Sequence, residues 1–137
     1  MSERRWGFSA DEWSAMRRAL ESLLVETASA RSTVTYGEVA RRVFNGRVSA
    51  RSSALMSLLG EVDFAAETER GIMIASLVVR TDTGMPGEGY FIFAAEELGL
   101  PALDDPRAFW EREVARVWDA YAGQLGRLCA QGEAGQP

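Results

Sequence analysis

The residues best suited to bind a ligand form an arginine-rich window at positions 31–51. Five arginines lie there against one acidic residue, Glu38, although the chain of 137 residues carries a formal net charge of -5. Guanidinium and hydroxyl groups commonly contact the phosphate oxygens of nucleic acids. The window therefore predicts a surface that contacts duplex DNA. Its predicted members are Arg41, Arg42, Arg47, Ser49, Arg51, Ser52 and Ser53.

A structural role explains part of this window. Arg41 and Arg42 fall at the predicted end of a helix, where the helix dipole favours positive charge without any functional role. Arg47 and Arg51 have no such explanation. The acidity of the rest of the chain opposes general nucleic-acid binding, because acidic surfaces repel phosphates.

The residue types exclude the commonest catalytic and metal sites. The chain has no histidine and a single cysteine, Cys129, so it cannot form a Ser-His-Asp triad, a Cys-His dyad or a Cys/His zinc site. All 15 basic residues are arginine, which excludes a Walker lysine. Cys129 has only Arg127 near it in sequence to lower its pKa and is expected to be inert. The sequence predicts a non-catalytic protein with no metal and no cofactor.

Two further motifs have a ligand-binding interpretation and a structural one. A glycine-rich segment, with glycines at 84, 87 and 89, could hold a phosphate with its backbone amides. However, Pro86-Gly87 within it is an ordinary turn pair. Asp104 and Asp105 could act as paired carboxylates, but Asp105 before Pro106 is typical of a helix N-cap. The structural interpretation is favoured for both. The glycine-rich segment is predicted to be the tip of a wing, formed by Asp82, Gly84, Pro86, Gly87 and Gly89.

Capping signals and apolar repeats predict four helices. Ser9 with Glu12 and Thr35 with Glu38 form two capping boxes. Ser49 is the predicted cap of the third helix. The stop signals are Asn45-Gly46 after the second helix and Gly71 after the third, and Asp105-Pro106 begins the last helix. The helices are predicted at about 10–28, 36–44, 50–70 and 106–122.

Two short apolar runs predict a β-hairpin. Residues 72–80 are rich in Ile, Val and Leu, residues 90–93 form a second run, and the glycine-rich segment separates them. One or two helical turns follow at 94–98, ending at Gly99. The predicted fold class is α+β and mostly α. It is a winged helix, with three helices and a two-stranded hairpin wing, to which a C-terminal helix is added.

The segment Thr33-Val-Thr-Tyr-Gly-Glu-Val-Ala40 resembles the Thr-Tyr-Gly-x-Leu-Ala start of the second helix in the winged-helix domain of O6-alkylguanine-DNA alkyltransferases and alkyltransferase-like proteins. The resemblance covers residues 33–93. It places Arg51 where that family carries an arginine that fills the space left by a flipped base. The family's Pro-Cys-His-Arg motif before Val-Val is replaced here by Ile74-Ala-Ser-Leu77, so the nucleophile and its histidine are missing. The glycine-rich segment is more similar to a little-described branch of bacterial winged-helix modules.

The first and last helices carry apolar seams that include three of the four tryptophans. The seams either pack against each other within one chain or form an isologous dimer, and the sequence leaves both alternatives open. We predict a homodimer. The predicted dimer or partner surface consists of Trp13, Leu20, Trp110, Val117, Trp118 and Tyr121.

Length and composition predict one domain over residues 1–124 with a flexible tail at 125–137. No apolar run approaches the ~18 residues of a membrane span, and no signal-like segment begins the chain. We therefore expect a cytoplasmic protein. The predicted function is that of a non-catalytic winged-helix regulator or accessory factor that binds duplex DNA. The alternative is an adaptor or inhibitor subunit that uses the same scaffold to bind a protein.

Overall fold

The computed structural model describes residues 5–134 of the chain, and the side chains of residues 5–122. These residues form an α+β structure that is mostly helical, with five α-helices and a two-stranded parallel sheet. The elements are α1 (Ala10–Ser29), β1 (Val34–Thr35), α2 (Tyr36–Phe44), α3 (Ser53–Arg70), a 3-10 helix (Ile74–Leu77), β2 (Val78–Val79), α4 (Glu88–Glu96) and α5 (Pro106–Ala134). No helix within these residues has the length and apolar character needed to cross a membrane.

The first two predicted helix starts are confirmed by their caps. The Ser9 hydroxyl accepts from the Glu12 amide at 3.1 Å, and the Glu12 carboxylate accepts from the Ser9 amide at 2.8 Å. The Thr35 hydroxyl accepts from the Glu38 amide at 3.2 Å. The Glu38 carboxylate, predicted to complete a second capping box, instead accepts from Arg41 at 2.5 Å.

The third helix begins later than predicted. Its N-cap is Ser52, whose hydroxyl accepts from the backbone amides of Ala54 and Leu55. The hydroxyl of Ser49, the predicted cap, accepts from the Arg51 amide in the turn before the helix. The end of α3 is confirmed, because Gly71 adopts the left-handed conformation with φ +68° that suits a residue without a Cβ.

The start of α5 is confirmed and its predicted end is wrong. The Asp105 carboxylate accepts from the Ala108 amide at 3.2 Å, and Pro106 is the first helical residue. The backbone remains helical to Ala134 instead of ending near residue 122. The predicted tail at 125–137 lies outside the residues whose side chains are described.

The predicted β-hairpin is wrong. Val34 pairs with Val78 and Thr35 with Val79 in a parallel register, so the two strands come from distant parts of the chain. Most of the run at 72–80 lies outside a strand, because residues 74–77 form the 3-10 helix. Residues 90–93, predicted as the second strand, lie within α4. A short apolar run without clear periodicity fits a buried helix as well as a strand, and here burial against α5 and the 3-10 helix selects the helix.

The segment predicted as a wing tip is a turn that leads into α4. The Arg80 carbonyl accepts from the Gly84 amide, and the Met85 carbonyl accepts from the Arg80 amide at 2.8 Å. Gly84 has φ +70°, Pro86 is buried and Gly87 is the N-cap of α4. Instead of projecting as a wing tip, the segment packs against the start of α2 through the hydrogen bond from the Gly87 amide to Tyr36.

Two apolar clusters form the core. The main cluster is built from α1, α2, α3, the 3-10 helix and α5, and fully buries Leu20, Leu24 and Leu58. A smaller cluster around Met73 joins α4 to the start of α5. The Trp110 ring packs against both clusters and so connects α4 to the rest of the structure.

The predicted dimer surface is largely inside the chain. Trp13, Leu20, Val117 and Tyr121 are buried in the main core cluster, to which α1 and α5 both contribute. Trp110 and Trp118 are partly buried and pack against the same core. The seams therefore follow the intramolecular alternative, and the assignment of these four buried residues to a dimer surface is corrected.

Candidate functional site

The clearest candidate site is a cleft of about 570 Å³ beside the parallel strand pair. Pairing of β1 with β2 brings the start of α2 next to the turn that follows β2, and the turn before α3 closes a third side. The residues that line this cleft are Thr35, Tyr36, Gly37, Ala50, Arg51, Met56, Val79, Arg80, Thr81, Asp82, Gly87, Gly89 and Tyr90.

Tyr36 connects two walls of the cleft. Its hydroxyl accepts from the Gly87 amide at 3.0 Å, which holds the start of α4 against α2. Burial raises the pKa of the Tyr36 hydroxyl, so the group keeps its proton at neutral pH. Within the described part of the chain this O–H is bonded to no acceptor, and it is therefore available to a ligand.

Arg51 and Arg80 supply the positive charge of the cleft. Arg80 is compensated, because Asp82 accepts from its Nε and Nη2 at 2.9 and 2.7 Å. This ion pair lowers the pKa of the Asp82 carboxyl. The exposed Arg51 guanidinium has neither an ion pair nor a side-chain hydrogen bond among the residues that the structure describes. The net positive charge of the cleft thus lies at Arg51.

The start of α4 adds hydrogen-bond donors. Gly87, the N-cap, has no side chain that could accept from the first amides of the helix. The amides of Glu88 and Gly89 find no acceptor in the described structure, and Gly89 lines the cleft. Such amides carry partial positive charge, so they add donors to those of Tyr36 and Arg51.

The remaining surface of the cleft is apolar. Val79 is buried on β2, and Tyr90, also buried, contributes to the lining from α4. Met56 on α3 is 41% exposed and forms part of the rim. Apolar walls with a few convergent polar groups are typical of ligand-binding clefts. This cleft can hold a flat apolar group joined to a group rich in acceptors.

The structure distributes the predicted DNA-contacting residues differently from the sequence prediction. Arg47 binds Glu12 at 3.1 Å, and its guanidinium lies 4.4 Å from the centre of the Phe8 ring. Arg41 pairs with Glu38, and Arg42 lies 4.0 Å from Glu26. The hydroxyls of Ser49 and Ser52 bind local backbone amides, and Ser53 is exposed at the first position of α3. Of the seven predicted residues, only Arg51 lines the cleft.

Three residues of the predicted wing tip reach the same cleft. Asp82, Gly87 and Gly89 line it, whereas Gly84 and Pro86 do not. Sequence reasoning missed Arg80 and Val79, which reach the cleft only through the pairing of β2 with β1. Tyr36 was part of a recognised motif, but no local signal indicated that its hydroxyl would meet Gly87, 51 residues away.

A buried polar network holds residues 71–76, the segment that leads into β2. Asp63 on α3 accepts from the Ala75 amide at 2.9 Å, and Glu113 on α5 accepts from the Met73 amide at 3.2 Å. Trp110 Nε1 donates to the Ser76 carbonyl at 2.8 Å. Further contacts join the hydroxyls of Ser76 and Tyr90, and Arg116 to Glu113 and the Gly71 carbonyl.

Asp63 is the most strongly perturbed acid of this network. Burial, opposed by the hydrogen bond from Ala75 and assisted by the charges of Glu113 and Glu67, raises the pKa of its carboxyl to about 7. Burial likewise raises the pKa of the Tyr90 hydroxyl. Sequence analysis gave no sign of this site, because Asp63 lies in an ordinary stretch of α3.

The described residues contain no cluster of three or more acidic, histidine or cysteine side chains suited to a metal ion. Cys129, predicted to be inert, lies outside the residues whose side chains are described. Comparison of the chain with protein-family models, curated proteins and solved structures finds no match to any of them.

Proposed function

We propose that the protein is a non-catalytic DNA-binding module that receives a nucleotide in the cleft, with Arg51 contacting its phosphate. The observation that carries this proposal is the position of Arg51, an uncompensated cation at the edge of an apolar-walled cleft rich in hydrogen-bond donors. The proposed role in the cell is that of a regulator or accessory factor.

The chemistry of a nucleotide matches the chemistry of the cleft. A base presents two apolar faces, which suit Val79, Met56 and the Tyr90 ring. A phosphodiester presents only acceptors, which suit Arg51 and the α4 amides. The cleft volume of about 570 Å³ lies in the range of ordinary small-ligand sites.

The resemblance to alkyltransferase-like winged helices supports the same proposal. Thr35-Tyr36-Gly37, Arg51 and Val79 belong to segments on which the resemblance rests, and all of them line the cleft. The order α1, α2, α3 also agrees with the helical part of a winged helix. The proposed contact with DNA therefore runs through the cleft and not through a hairpin wing.

The footprint on DNA should be small. Arg41 and Arg47 are compensated by Glu38 and Glu12, and the chain has a net charge of -5. We expect one or two phosphate contacts, which corresponds to a log-log salt slope of roughly -1 to -2.

Fluorescence anisotropy with labelled oligonucleotides tests the proposal at low salt. Duplex DNA and the corresponding single strand are compared for the wild type, for Arg51→Glu and for the matched control Arg41→Glu. We expect Arg51→Glu to weaken binding by roughly tenfold or more, because the variant loses a phosphate contact and places a negative charge beside the phosphate. Arg41→Glu should change binding little. Equal effects of the two variants, or no binding to either DNA by the wild type, would contradict the proposal.

A second candidate function, protein binding, is favoured by the exposed face of α3. Met56 and Phe64 are 41% and 55% exposed, and with Gly60 they are spaced four residues apart along one face of the helix. The helix has no basic residue before Arg70, which is unfavourable for a helix that reads DNA. An apolar face on an acidic protein fits a partner with a basic rim.

A Leu/Lys amphipathic peptide serves as the probe for this second candidate. Binding that is lost in Phe64→Glu and retained in Arg51→Glu would support protein binding through α3. Equal binding by both variants would show general attraction to an acidic protein and would count against it.

A further inference from the structure

The buried Asp63 is bonded to the segment of the chain that leads into one wall of the cleft. It is only 2% exposed, and its carboxylate accepts from the Ala75 amide at 2.9 Å. Ala75 belongs to the 3-10 helix that continues into β2, and β2 supplies the Val79 wall of the cleft. Asp63 therefore holds the segment that forms one wall.

A chain of contacts joins Asp63 to the lining of the cleft, because its partner Ala75 precedes Ser76, whose hydroxyl contacts that of Tyr90. Burial raises the pKa of the Tyr36 and Tyr90 hydroxyls, and in both cases the negative charge of Asp63 adds to that effect. Both tyrosines line the cleft. A ligand bound beside these tyrosines would lie within the field of the same carboxylate.

The charged groups that act on Asp63 come from α3 and α5. Glu113 on α5 and Glu67 on α3 raise its proton affinity. The chain contains no histidine, so no imidazole can titrate between pH 6 and 8. The ion pair with Asp82 raises the pKa of the Arg80 guanidinium, which stays cationic, and burial raises the pKa of the Tyr36 and Tyr90 hydroxyls, which stay neutral.

We propose that binding of an anionic ligand in the cleft is coupled to uptake of a proton by Asp63. The coupling rests on the proposed function, because it requires that the cleft bind an anion. An ionised Asp63 opposes an incoming phosphodiester, and a protonated Asp63 does not. By linkage, the bound anion raises the proton affinity of Asp63 by the same factor by which protonation raises the affinity for the anion. The cleft thus binds its ligand more tightly as the pH falls through neutrality.

The test measures affinity for a rhodamine-labelled single-stranded oligonucleotide with a 5′-hydroxyl between pH 5.5 and 8.5. Phosphodiesters keep a constant charge over this range, so the probe adds no titration of its own. We expect the wild type to bind roughly three- to tenfold more tightly at the acidic end. Asp63→Asn should abolish this dependence, and the matched control Glu67→Gln on the same helix should retain it.

Proton uptake by the wild type provides a second measurement that needs no variant. Calorimetric titration at pH 7 in two buffers with different ionisation enthalpies gives the number of protons taken up on binding. A positive fraction supports the coupling. Binding without pH dependence or proton uptake overturns the coupling and leaves the proposed function intact. Absence of binding at every pH overturns both.

Discussion

Replacing Asp63 by Asn removes a buried charge and keeps an oxygen that can accept from the Ala75 amide. Burial and the charges of Glu113 and Glu67 raise the pKa of the Asp63 carboxyl from 3.8 to about 7. Folding therefore strengthens proton binding at this site. The stability that this group contributes is fully present below pH 4 and is lost as the pH rises to about 7.

The size of the effect follows from the same values. A pKa raised from 3.8 to about 7 corresponds to ~4 kcal/mol between the two ends of this window. Asp63→Asn does not lose this stability as the pH rises. The unfolding free energy of the variant minus that of the wild type should therefore increase by up to ~4 kcal/mol from pH 4 to pH 8. The other carboxyls titrate in both proteins, so their contribution to the pH dependence cancels in this difference.

Urea unfolding at a series of pH values, followed by tryptophan fluorescence, measures the difference. Asp82→Asn is the control. It removes an exposed carboxyl whose pKa is lowered by Arg80, so any dependence should have the opposite sign. Parallel stability curves for the wild type and Asp63→Asn would refute the assignment of Asp63 as a buried proton-binding group.

Three further expectations concern the fold. Trp110→Phe leaves the Ser76 carbonyl without the indole donor and should lower the unfolding free energy by ~1–3 kcal/mol in urea titrations. Gly71→Ala places a Cβ at φ +68° and should cost about 1 kcal/mol in the same assay, whereas Gly60→Ala in open space within α3 should not destabilise. With the seam residues of α1 and α5 buried in the main core, the chain should elute as a monomer of 15.0 kDa, and a concentration-independent dimer mass by light scattering would contradict this.

The starts of α1, α2 and α5 and the end of α3 were predictable because their signals are local. Ser9, Thr35 and Asp105 each cap a helix through amides no more than three residues away. Gly71 ends α3 through its own backbone conformation. Such geometry depends on neighbours in sequence, so the sequence pattern was sufficient to predict it.

The strand pairing was not predictable in the same way. Val34–Thr35 and Val78–Val79 are two-residue strands, too short to show an alternating pattern. Their parallel pairing joins segments far apart in the chain, whereas the hairpin prediction assumed pairing between neighbours. The cleft depends on this pairing, which is why Arg80 and Val79 were missed.

The arginine window shows why composition alone could not define the site. Arg47 finds Glu12 35 residues away, and that pair is formed only after α1 packs against α2 and the turn that follows it. A local excess of positive charge therefore disappears in three dimensions wherever the fold brings an acid next to it. Arg51 has no such partner among the described residues, because the carboxylate of its cleft, Asp82, pairs with Arg80. In an acidic chain, one uncompensated arginine with uncapped helix amides nearby is a stronger indication of an anion site than five arginines in sequence.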